Sequence, residues 1–151
     1  MKFLKIIAWL ALVALIVIQF FPITLNESDA VPQSDFMVEN QVPATIKNQL
    51  QVSCYDCHSN NTDYPWYSKI QPAAWYLEDH IQAGKDELNF NEWDTYSSRR
   101  KNSKLRSIIK QIESGEMPMD SYTLIHRDAI LSDEDKRMII DYITALKDSL
   151  E

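Results

Sequence analysis

Ser53-Cys54-Tyr55-Asp56-Cys57-His58-Ser59 contains both cysteines of the 151-residue chain, three positions apart and followed at once by a histidine. This spacing, C-x-x-C-H, is the attachment sequence of c-type haem. Two thiols three residues apart at a helix end can each add to a haem vinyl group as a thioether. The histidine that follows is then carried under the ring, where an imidazole nitrogen can bind iron. Other chemistries compete for the word. A thioredoxin-like dithiol wants a βαβ context, and the chain shows no convincing strand. A zinc site needs four ligands, usually in separated pairs, and only His80 and His126 remain, unpaired. A Cys54–Cys57 disulfide would suit an exported protein but leaves His58 without a role. One such word implies one covalently bound haem.

Four helices are expected around it. The first runs from Pro43, well placed as an opening residue, to about Ser53, with Ile46 and Leu50 on one face. The second runs from Pro72 to Ala83, with Gly84 as a left-handed cap. The third spans about Ser97 to Ser114, its stripe Leu105, Ile108, Ile109 and Ile112 recurring at i, i+3, i+4, i+7; Gly115 stops it. The fourth starts at Ser132, where Asp135 reaches back in a box-like cap, and carries Met138, Ile139, Tyr142, Ile143 and Leu146. Two irregular stretches, 60–71 and 116–131, lie between them. Loops of that length normally exist for a function, and a large apolar group in the middle would repair a thin core.

The N-terminal region reads differently. After Lys2 and Lys5, Ile6 to Phe21 is apolar apart from Gln19. Residues 1–25 are expected to form a transmembrane helix, or else a signal sequence cleaved near Ser28-Asp29-Ala30. The leading lysines would keep the N-terminus cytoplasmic. That places a single-pass protein in the inner (cytoplasmic) membrane, its haem domain in the periplasm or outside the cell. No cysteine follows the apolar run, so a lipoprotein anchor is not expected. Residues 26–42, acidic and without periodicity, read as a flexible tether; residues 43–151 read as the haem-binding domain. All 22 acidic residues, and every basic one except Lys2 and Lys5, follow Leu25, and the net charge is −7. An acidic balance argues against nucleic acid as a partner. With only two glycines there is no glycine-rich phosphate cradle.

The stretch from Val52 to Leu146 resembles the haem-binding domain family of membrane-anchored monohaem c-type cytochromes. The resemblance rests on Ser53 to Asn60, Tyr64-Pro65-Trp66-Tyr67, the Trp75 to Gly84 helix with His80, Leu88-Asn89-Phe90 with Trp93, and Gly115-Glu116-Met117-Pro118 followed by Tyr122 and His126. It implies an all-α, small cytochrome c-like fold around the haem.

The second axial ligand is expected to be Met117, between a helix-ending Gly115 and Pro118, whose fixed φ holds an extended loop. Class I cytochromes c present a similar Met-Pro loop. A methionine paired with histidine raises the reduction potential. Met119 cannot bind at the same time, being about 6.6 Å further along an extended strand of chain. His80, on the face shared by Tyr76 and Leu77, is the rival; Met119 in place of Met117, His126 or an open position are further alternatives. Met37 and Met138 read as inert. Tyr64, Trp66, Tyr67, Trp75, Phe90 and Trp93 are expected to wall the haem, with Trp or Tyr donors reaching a propionate; His80 or His126 could do the same. Arg99, Arg100, Lys101, Lys104, Arg106 and Lys110 read as the solvated face of the third helix, with docking of an acidic redox partner or lipid surface as the second reading.

These residues describe a membrane-tethered one-electron carrier with a redox protein as partner, not an enzyme and without a small-molecule substrate. The alternative is a haem-based sensor or small-ligand binder whose sixth position is open or labile. No distal acid–base pair argues for a peroxidase.

Overall fold

The computed structural model describes residues 1–28 and 30–150, and these are all-helical, with no strand among them. Asp29, and with it the middle of the candidate cleavage site, lies outside the described residues. In chain order the helices are α1 (Lys2–Ile18), α2 (Phe36–Glu39), α3 (Ala44–Leu50), α4 (Asp56–His58), α5 (Ala73–Glu87), α6 (Ser98–Ser114), α7 (Asp120–Thr123) and α8 (Asp133–Asp148). Short 3-10 turns occupy Trp66–Lys69, Phe90–Thr95 and Arg127–Ala129.

Local signals placed several ends correctly. Ser97 and Ser132 cap α6 and α8 with their hydroxyls, and Asp135 completes the capping box at Ser132. Gly115 closes α6 at φ 73°, a conformation that favours glycine. Gly84 behaves otherwise. It is not a cap, because α5 continues through it to Glu87. Its service is a close approach, described below.

The N-terminal expectation is corrected. Helix α1 has 17 residues, none of them buried, and no helix among the described residues is long and apolar enough to cross a membrane. At about 1.5 Å per residue it reaches only about 25 Å, against a hydrocarbon core of about 30 Å. The helix stops because Gln19 turns back and across. Its Nε2 donates to Leu15 O (2.9 Å) and Gln71 O (3.1 Å), while Gln71 N donates to Gln19 Oε1 (2.9 Å). Single-pass placement in an inner membrane falls with the span.

The stretch read as a tether differs as well, for it is folded against the domain. Asp35 caps α2 through Met37 N (2.8 Å) and Val38 N (3.3 Å), and Phe36, Met37 and Val42 are buried. Asn26 Nδ2 donates to Ser59 O and Thr62 Oγ1, both at 2.9 Å. Burial of three apolar side chains offsets the ordering cost that the polar composition seemed unable to meet.

That segment changes where the core lies. Phe36 meets Trp93 edge-on at 5.0 Å and Phe90 at 5.3 Å, and Phe90 stacks on Tyr55 at 4.9 Å. Leu50, Leu105, Ile112, Leu131, Ile139 and Ile143 extend the same cluster. Burying each such side chain contributes on the order of 2 kcal/mol. The domain therefore has an apolar core of its own, with Cys54 packed at its edge. An apolar group in the middle is not needed to supply one.

Candidate haem-binding site

Helix α3 runs without a break through a widened π turn, Gln51–Tyr55, into α4. Such turns interrupt helices most often at functional sites, and this one carries Cys54. The next turn brings Cys57 and His58, and the chain leaves the helix at Ser59 in extended geometry.

Helix α5 seats this segment. A Cβ on Gly84 would lie 2.7 Å from the Cys57 carbonyl oxygen, so only glycine lets the two backbones come this close. Beyond the end of α5, the Leu88 carbonyl meets His58 Nδ1 at 2.9 Å. A carbonyl can only accept, so Nδ1 carries the proton and Nε2 keeps its lone pair for a metal. Burial pulls the His58 pKa down, opposed by the carbonyls of Leu88 and Gly84, which favours the neutral ligand form. The Leu88 segment is held in turn. Asn89 Nδ2 donates to Asn60 Oδ1 (2.9 Å), Asn60 N to Asn91 Oδ1 (2.6 Å), and Asn91 Nδ2 to the buried Asp35 (2.8 Å). Tyr55, inside the C-x-x-C-H word, donates to the same carboxylate at 3.1 Å.

Cys54 and Cys57 are free thiols. Burial, with Cys57 adding to it, pushes Cys54 up to about 12; burial and Asp56 push Cys57 up to about 11. Thiols kept protonated are poor redox nucleophiles and poor zinc ligands, both of which require thiolate. No group of three or more His, Cys, Asp or Glu among the described residues is placed to hold a metal ion. The zinc reading finds no ligand set among the described residues.

All three attachment residues line one cavity of about 320 Å³, a volume in the usual range for small-molecule sites. Met117, Pro118 and Met119 line it too, as do Leu88, Phe90, Ile108 and Ile112. The lining is mostly apolar, and the residues at it include two histidines, two cysteines and two methionines. Gln111 belongs to the same wall, and its buried Oε1 has no hydrogen-bond partner. These residues fit a haem.

His80 reaches the cavity, although its Nδ1 is engaged with Tyr76 O at 2.7 Å. The aromatic wall is not the one expected, since only Phe90 of the six residues lines the cavity. Trp66 is 74% exposed. Tyr67 bonds His126 Nε2 (2.9 Å), and Trp75 Nε1 donates to Phe21 O (3.0 Å). Tyr64 receives Asn26 N (2.7 Å), and Trp93 is buried in the core. Met37 is a core residue and Met138 packs against the core. The basic run on α6 is divided: Lys101 is buried against Glu39 (2.6 Å), Arg100 lies over the Tyr96 ring (4.1 Å), and Lys104 lines the cavity.

Several participants escaped sequence reasoning. Asp56 accepts from Tyr122 OH (2.7 Å), which ties α7, and so the loop before it, to the attachment segment. Asp35 had a legible signal, an N-cap carboxylate beside Phe-Met-Val; Tyr122 was named only within the resemblance, without its partner, and Asn91 and Gln111 had no signal.

Comparison with known proteins adds one result. No curated protein and no solved structure matches the chain. The family model described as the haem-binding domain matches residues 13–145, nearly the whole folded part. With a cavity suited to that cofactor in hand, the chain belongs to the haem-binding domain family.

Proposed function

We propose that the protein is a monohaem c-type cytochrome that carries one electron. The observation that carries this reading is the convergence of Cys54, Cys57, His58 and Met117 on one cavity, with His58 Nδ1 held by Leu88 O. Bound haem supplies the one-electron couple. Cys54 and Cys57 would hold the cofactor as thioethers, and His58 would offer Nε2 to the iron, its ring oriented by the Leu88 carbonyl. Met117 would supply a soft thioether, which would favour the ferrous state and raise the potential. The surrounding apolar side chains exclude water, and the open side of the cavity gives a redox protein partner access to the ring edge.

Matured protein tests this directly. Colour is expected to stay with the polypeptide through acid–organic extraction and to be stripped from Cys54→Ser/Cys57→Ser. The ferric near-infrared band of sulfur ligation should vanish in Met117→Ala and persist in Met119→Ala. Extraction of all colour from the wild-type chain would end the c-type reading. Rapid carbon monoxide binding by the reduced protein would replace the carrier with a sensor.

A further inference from the structure

One face of α6 is polar where it meets the cavity. Lys104, Ser107 and Gln111 all line it, at i, i+3 and i+7, with Ile108 between them. The three differ in depth. Ser107 is exposed at the mouth, Lys104 is half-buried, and Gln111 carries the orphaned Oε1. They also span the site. Lys104 Nζ lies 3.7 Å from the carboxylate of Glu87, the residue before the Leu88 whose carbonyl holds His58. Gln111 accepts the Met117 N–H through its own carbonyl at 3.2 Å, about 10 Å further along the helix. The stripe thus runs from the His58 wall to the Met117 wall.

Little of this polarity is used among the described residues. Lys104 pairs at 3.7 Å with Glu87, which also borders the cavity but whose carboxylate is 85% exposed. The two atoms of the Gln111 amide are interchangeable in assignment, so the side chain can offer an N–H₂ donor where it borders the cavity. A cation, a hydroxyl and an amide in one row, beside an apolar floor, are what a carboxylate-bearing planar ligand requires.

We infer that Lys104, Ser107 and Gln111 seat the propionate carboxylates of the haem. The inference rests on the haem reading and adds the orientation of the ring. Cys54 and Cys57 take the vinyl edge, α6 takes the carboxylate edge, and the haem is fixed in its plane from both ends. The same row gives affinity before any thioether forms, so that the vinyl groups are held at the thiols.

The test uses the full chain before covalent attachment, titrated with haemin and with haemin dimethyl ester, whose carboxylates are blocked. Wild-type protein should bind haemin at least about ten-fold more tightly than the ester, a charge-assisted bond's worth of discrimination. In Lys104→Gln and in Gln111→Leu that preference should collapse toward unity while ester affinity stays level; Ser107→Ala should lower it less. Lys110→Gln, a basic change that does not touch the cavity, should leave it intact, and circular dichroism checks the fold of each. A preference that survives in both Lys104→Gln and Gln111→Leu overturns the inference and leaves haem binding standing. Failure of the folded wild-type chain to bind either porphyrin overturns both.

Discussion

The wall that carries Cys54, Cys57 and His58 is braced from several sides, whereas the Glu116–Met119 loop in the same cavity is held by little. Behind the attachment segment stand the Gly84 contact, the Leu88 carbonyl and the buried Asp35, which receives Tyr55, Asn91 and two backbone amides. The loop has one backbone bond to α6, Met117 N to Gln111 O, the amides of Tyr122 and Thr123 on Met119 O, and the Tyr122 side chain beyond its far end. A covalent attachment site has to present three atoms in one fixed arrangement, which burial and a complete hydrogen-bond network provide. A methionine ligand has only to reach the iron, and a flexible thioether on a short loop can do so without such bracing.

The strongest way to break this contrast is at Asp35. In Asp35→Ala the Tyr55 hydroxyl, the Asn91 amide and the first turn of α2 lose their acceptor together, and a loss on the order of 4 kcal/mol is expected by chemical denaturation. A loss below about 1 kcal/mol would mean that the attachment wall does not depend on this hub.

Gly84→Ala comes next. The added Cβ meets a backbone oxygen at 2.7 Å, not a side chain that can swing away, so α5 must shift from the attachment segment at a cost of about 2 kcal/mol. The His58–Leu88 bond should be disturbed with it, visible as a changed His58 imidazole signal in NMR. An unchanged signal and midpoint would show that the close approach is incidental.

Tyr122→Phe should do least to stability, about 1 kcal/mol, and act on the other region. Amide exchange at Met117 and Met119 should quicken while that of the attachment segment stays slow; equal change in both would erase the contrast. The variant also has a pH signature. Burial, then the Asp56 carboxylate, push the Tyr122 phenol well above its ordinary value. The folded pKa lies above the unfolded one, so its contribution is whole below about pH 10 and is lost as pH rises beyond that. Removing the phenol should therefore make the alkaline fall in stability shallower.

Particular residues show how far the chain could be read before folding. The C-x-x-C-H word, the Ile stripe of α6, the Ser132 cap and Gly115 are local. Each depends on spacing within a turn or two of helix, so residue order alone determined them. Gly84 was misassigned because a glycine near a helix end looks like a cap until a second backbone is seen against it. The N-terminal span failed on its length, which Gln19 sets by bonding to Gln71, a residue 52 positions away. Asn91 and Tyr122, and Asp35 beyond its local cap, gain their meaning from partners 20 to 66 residues distant. Likewise, most of the expected aromatic wall faces elsewhere, since hydrophobicity calls for burial without saying against what. The sequence by itself determined haem as the group to be bound and the course of α6 and α8. Tertiary structure alone decided which side chains share the cavity, because that depends on long-range packing, which carries no local period.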